Sequence, residues 1–280
     1  MSSIFVNEQN KLRNGWKILL FIITFAISIA VVSSIFSLFF PIYDFIISEI
    51  IVLVSVIISS FIMMRSLEKE SLLNIGLKFK SGTTYEIVLG LILGFLMITV
   101  VVLPNIILGY YRFDLAPNRI IPQIFEAILF FTLVAFAEEI LFRGYPFQRL
   151  IDGTNPTIAT LIFSFVFSLA HFQNPNINVI AGLNIFLAGI WLSVSYIKTR
   201  SLWFPISLHF SWNFFQGYLY SLPVSGTTLI EPIFDVEIAA ENLISGGDFG
   251  PEGSLLTSLV LVISTVFIIK NPRLSGEQIS

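Results

Sequence analysis

Long apolar runs constrain this chain more than any other feature. From Trp16 to Phe40 the only charged residue is Lys17, and from Phe45 to Met64 it is Glu49. A helix crosses the hydrocarbon of a bilayer with about 20 apolar residues. Eight stretches approach that length: 16–40, 45–64, 86–111, 123–148, 155–172, 177–197, 202–220 and 254–270, the last being short. The composition agrees: 55% of the 280 residues are hydrophobic and 12% are charged, about half the charge of a soluble domain. The sequence predicts an all-α, polytopic membrane protein with about eight transmembrane helices. Its organisation divides into N-terminal helices over 1–122, a polar-bearing core over 123–220, and an outside loop with a last helix over 221–280.

Composition also excludes functions. The chain has no cysteine, so disulfides, thiolate catalysis and cysteine metal ligands are out. No basic patch is interleaved with exposed aromatics, so nucleic acid is not an expected partner. The run 16–40 is too long for the apolar part of a signal peptide and no A-x-A site follows it, so it reads as a first span. A cytoplasmic N-terminus places twelve Lys and Arg inside and leaves only Arg112 and Arg119 outside, with Arg143 set aside as intramembrane. The loop 221–253 has no Lys or Arg and carries Glu231, Asp235, Glu237, Glu241, Asp248 and Glu252, which suits the outer side. Both termini are expected in the cytoplasm, with the lipid bilayer as an obligatory partner; the Ile- and Phe-rich, cysteine-free composition points to a bacterial plasma membrane. Gly90 and Gly94 form a GxxxG in the third span, a close-packing signal.

Against this background a few polar residues stand out. Glu138, Glu139 and Arg143 share the fourth span. Each central charge costs roughly 2.5–3.5 kcal/mol on insertion scales, so that span is expected inside the bundle with its charges paired or facing a wet cavity. Glu139 and Arg143 are i and i+4, with the acid first, the favourable order on a helix. Glu138 points about 100° away and has no partner in sequence, which suits a general base. His171 closes the fifth span, one turn after Phe167. His209 and Asn213 are i and i+4 in the seventh and can aim two hydrogen-bond donors at one point, as an oxyanion hole requires. These two histidines are the only ones in the chain. Bland readings exist for each piece: a Glu–Arg pair can be a packing clamp, and a lone histidine can simply bond a neighbour. Joint placement in successive spans favours a site. Glu49, Asn105 and Asn184 lack such companions and read as packing or boundary residues. By residue count His171 comes out deeper than Glu138 and His209, a mismatch that only packing or a different start to its span can remove.

Other intramembrane protease signatures are missing. There is no HExxH and no GxSG, and Ser245-Gly246-Gly247-Asp248 matches GxGD only loosely, in an outside loop. What is present is EExxxR (Glu138, Glu139, Arg143), then FxxxH (Phe167, His171), then HxxxN (His209, Asn213). In that order the motifs resemble the CAAX-protease and bacteriocin-processing (Abi) family of membrane endopeptidases. Thr199, Ser201, Leu202, Trp203, Pro205, His209 and Asn213 fit its pattern TxSLWxPIxxHxxxN, and GGDFGPEG (246–253) is similar to a loop of a bacterial subgroup. The resemblance covers roughly 125–215. It implies a conical active-site cavity and hydrolysis of a peptide bond in a membrane-associated peptide or protein. Glu138 and His171 would activate water, His209 and Asn213 would stabilise the oxyanion, and Glu139 and Arg143 would brace the site. It implies no obligatory cofactor. Zinc held by Glu138, His171 and His209 is the other version, since two His and one Glu form a known zinc set. Two further functions compete. A proton-coupled transporter would use the same residue types but predicts internal repeats, which are not seen. A non-catalytic bacteriocin-immunity scaffold predicts eroded motifs, whereas these are intact.

Overall fold

The computed structural model describes residues 4–40, 44–115, 120–231, 233–240 and 242–274. Two of the charges used for orientation and loop assignment, Arg119 and Glu241, lie outside the described residues. The apolar runs form helices: α1 (Asn14–Ser37), α2 (Phe45–Met63), α3 (Thr83–Ile107), α4 (Ile120–Arg143), α5 (Tyr145–Gly153), α6 (Pro156–Ala170), α7 (Val179–Thr199), α8 (Trp203–Phe214) and α9 (Leu255–Lys270). Short polar residues start several of them. Asp44, Asn155, Asn178 and Ser254 each accept a backbone N–H of the first turn, satisfying a donor the helix itself leaves free.

α1, α3, α7 and α2 with its one-turn extension to Glu68 are long and apolar enough to cross a membrane. α6 and α9 are apolar but shorter. α4 has the length, at 24 residues, but carries the charged residues of the site. The outward faces of α1, α3, α6 and α9 agree with a lipid setting: Ile22, Ile27, Val31, Ile92, Leu96, Leu161, Phe165 and Val262 are all exposed.

The chain departs from the expected spans in two places. The stretch 123–148 is not one helix. It breaks at Gly144, and Pro146 sits in the first turn of the short amphipathic α5, because proline has no N–H to bond the carbonyl four residues back and is tolerated at a helix start but not in its interior. The fold is all-helical, as expected, apart from one short two-stranded ribbon. Tyr111–Leu115 (β1) pairs antiparallel with Phe234–Ile238 (β2), tying the α3–α4 connection to the 221–253 loop. A salt bridge of 3.3 Å between Arg112 and Glu237 crosses this ribbon.

α8 sits deepest. It packs against α3, α4 and α7, and nine of its twelve residues are buried. A helix enclosed all round is held by its neighbours rather than by an amphipathic face. The closest approach is to α3, where Gly90 and Gly94 face Ser207 and Ser211: a Cβ on either glycine would come within 2.7 Å of the facing serine Cβ. The expected GxxxG packing therefore has a specific partner. α4 lies between α2 and α8, so the charged helix is interior, as its insertion cost requires. At one end of the bundle Glu68 accepts from Lys17 at 2.9 Å and from Tyr145, and pairs with Arg149 at 3.2 Å, joining α1, α2 and α5.

Candidate active site

The three motifs converge on one cavity of about 440 Å³, lined among others by Glu138, His171, His209 and Asn213. Behind its wall lies a fully buried ion pair. Glu139 is 0% exposed and Arg143 1%. Arg143 Nη1 donates to Glu139 Oε1 at 2.9 Å, and Nη2 donates to the Gly189 carbonyl of α7 at 3.2 Å. The guanidinium also lies 4.7 Å from the centre of the Phe167 ring, a cation–π contact. The i, i+4 spacing read from the sequence thus produces the expected pair, and tertiary contacts from α6 and α7 enclose it.

Sequence spacing did not reveal a second partner of Glu139. The same oxygen, Oε1, faces His209 Nδ1 at 2.9 Å. One carboxylate therefore joins Arg143 of its own helix to His209 of α8. Because Oε1 already accepts from Arg143, His209 Nδ1 is the donor in this contact. His171 is fixed differently. It is the C-terminal cap of α6, and its Nδ1 lies 2.8 Å from the Phe167 carbonyl. A carbonyl can only accept, so this Nδ1 is protonated too. Both imidazoles then present Nε2 to the cavity, oriented by the bond on the other nitrogen.

Both Nε2 atoms face Glu138. His171 Nε2 lies 4.0 Å from Oε1 and His209 Nε2 lies 3.8 Å from Oε2. These separations are too long for direct hydrogen bonds and leave room for a bridging oxygen. Glu138 Oε2 is buried with no hydrogen-bond partner among the described residues. Asn213 follows His209 by one turn and lines the same cavity. The depth mismatch of His171 is also resolved. α5 separates the end of α4 from the start of α6, and α6 has 15 residues, about 22 Å at 1.5 Å per residue. Its C-terminal end stops at the level of Glu138, as the 4.0 Å separation of His171 Nε2 from Glu138 Oε1 shows.

Residues 120–215 match the family model of the Rce1-like, type II CAAX prenyl endopeptidases. That segment contains all three motifs and excludes α1–α3 and the 221–253 loop. Over 133 residues the chain is 30% identical to the uncharacterized protein YyaK of Bacillus subtilis (strain 168). The match covers 45% of this chain and 44% of YyaK, so the chain spans less than half the length of the curated relative it matches. Rce1-like proteases are not known to need a cofactor. Among the described residues no group of three or more His, Asp or Glu side chains is arranged to hold a metal ion.

Sequence reasoning missed two acids of the cavity and the loop contacts of two buried amides. Glu49 of α2 lines the cavity; its signal was that it is the one charge in an otherwise apolar run. Glu252 arrives from the outside loop and also lines it. Asn184 is not an isolated packing residue: its Nδ2 donates to the carbonyls of Glu252 and Ser254 at 2.7 and 2.8 Å. Asn105 likewise bonds outside its helix, donating to the Ile244 carbonyl at 3.2 Å. Both amides anchor a loop that has no periodic pattern to announce its position.

Proposed function

We propose that this protein is an intramembrane endopeptidase that hydrolyses a peptide bond of a membrane-associated peptide or protein. One observation carries the reading: the Glu138 carboxylate is flanked by two imidazoles, His171 Nε2 facing Oε1 and His209 Nε2 facing Oε2, and Oε2 is buried with no hydrogen-bond partner among the described residues. Glu138 and His171 hold a water, and Glu138 takes its proton as the oxygen attacks the scissile carbonyl. The carbonyl oxygen becomes an oxyanion and receives hydrogen bonds from His209 and the Asn213 amide. When the tetrahedral intermediate collapses, the proton held by Glu138 passes to the leaving amine. His209 can donate through Nε2 only as an imidazolium, because its Nδ1 proton is already committed to Glu139. Glu139 accepts the Nδ1–H of that imidazolium, and Arg143 pairs with the same carboxylate oxygen.

This chemistry uses no metal. A zinc ligand set of Glu138, His171 and His209 would need both histidines neutral, whereas oxyanion stabilisation needs His209 cationic. Metal analysis of the purified protein separates the two. The glutamate mechanism expects no stoichiometric zinc and full activity after chelation; tightly bound zinc whose removal abolishes activity overturns it. The eight-span arrangement with both termini cytoplasmic belongs to the same reading, and its basis is the bias of Lys and Arg toward alternate loops.

The direct test compares peptides released from membranes containing the wild type and Glu138→Gln. The variant is expected to fold and to release none. Cleavage that persists removes Glu138 as the base.

A further inference from the structure

The loop motif GGDFGPEG (246–253) lies outside the segment matched by the family model, and water activation does not use it. It folds back between the two elements that carry the histidines. Phe249, 1% exposed, packs with Phe142, Phe167, Ala181 and Ile185. Phe167 is the residue whose carbonyl holds His171. Three residues later Glu252 meets α8: Trp212 Nε1 donates to its Oε1 at 3.1 Å. Trp212 lies between His209 and Asn213 in that helix.

The other oxygen of Glu252 reaches the His171 side. Oε2 accepts the Ser225 backbone N–H, and the Ser225 carbonyl accepts from Asn174 Nδ2 at 2.8 Å, in the turn that follows His171. The backbone carbonyl of Glu252 in turn accepts from Asn184 Nδ2 of α7. Glycines allow this close fit. Gly250 (φ +90°) and Gly226 (φ +81°) both adopt conformations that side chains disfavour. A Cβ would come within 2.5 Å of the Pro223 carbonyl oxygen at the first and 2.2 Å of the Pro175 carbonyl oxygen at the second.

A continuous series of contacts therefore runs from the His171 turn through Asn174, Ser225, Glu252 and Trp212 to the helix of His209 and Asn213. We propose that Glu252 is a positioning residue that sets the spacing of His171 and His209 about Glu138. The need for such a brace follows from the fold. His171 sits at a helix end, where the last turn lacks the following hydrogen bonds. His209 sits on a different helix, and the 3.8 and 4.0 Å gaps to Glu138 depend on how the two are held. The purpose of this brace rests on the peptidase reading, but its existence does not, so the test reads geometry and not cleavage.

Because the chain has only two histidines, isotopically labelled histidine in the full-length protein in lipid nanodiscs gives imidazole signals from these two sites alone. Glu252→Ala is expected to shift the signals of both histidines. Trp212→Phe releases only the α8 arm and shifts mainly His209. Asn174→Ala releases only the turn and shifts mainly His171. Tyr145→Phe, which removes a bond to Glu68 at the other end of the bundle, shifts neither. Unchanged signals in Glu252→Ala, or equal shifts in Tyr145→Phe, overturn the proposal. Should Glu252→Ala fail to fold, the single-arm variants decide: each moving its own histidine supports the brace, and neither moving overturns it.

Discussion

At the scale of single residues, the costliest feature is Arg143, a guanidinium at 1% exposure. Removing one partner of a buried ion pair costs about 3–5 kcal/mol, because the other charge is left without compensation. Arg143→Ala is therefore expected to lower stability by about that amount, read as unfolding in mild detergent. Glu139→Ala should do similar damage and also release His209 from its 2.9 Å contact. Asn213 contributes differently. It pairs with no charge, so Asn213→Ala should leave stability nearly unchanged while reducing turnover by roughly 10²–10³-fold, the effect of losing one oxyanion donor. Comparing unfolding and turnover in the same preparations separates these roles. A stable Arg143→Ala would show that α6 and α7 can rearrange to hydrate the site.

At the scale of elements, the α3–α8 contact decides where His209 is held. Gly94 lies against Ser211 and the Leu208 carbonyl, which a Cβ would meet at 2.7 and 2.9 Å. Backbone cannot give way as a side chain can, so Gly94→Val should destabilise by about 1–3 kcal/mol through overpacking and displace α8. The check is a lower unfolding temperature together with lost activity. Gly82 meets no atom within 4 Å at its Cβ position, but its positive φ disfavours a side chain, so it is a poor control. Gly15, with nothing within 4 Å and no positive φ, is the better one, and Gly15→Ala should be silent. The GxxxG spacing was legible in the sequence because it is local to one helix. Its partner was not, because nothing in α3 specifies that Ser207 and Ser211 should face it.

At the scale of the molecule, the two ends of the bundle carry different chemistry. One end gathers Lys17, Glu68 and Arg149; the other holds the β1–β2 ribbon and the acidic loop. The absence of native cysteine makes orientation directly measurable. Cysteine introduced at the exposed position Asp248 should react with an impermeant maleimide on intact cells. Cysteine at the exposed position Lys78 should react only after permeabilisation. The reverse pattern would overturn the orientation derived from Lys and Arg.

By itself the sequence determined which segments are apolar enough to enter a membrane, because hydropathy is a sum over neighbours in the chain. It also determined the Glu139–Arg143 pair, since i, i+4 geometry is internal to a helix, and the short list of polar residues too costly to bury without purpose. Only the tertiary structure decided that Glu139 serves Arg143 and His209 together, that His171 ends at the level of Glu138, and that Glu49 and Glu252 reach the cavity. Those relations join residues far apart in sequence. They depend on where α5 interrupts the chain, on how closely glycine lets α3 approach α8, and on a non-periodic loop folding back. No local spacing encodes them, because each is fixed by the mutual packing of helices whose order along the chain is not their order in space.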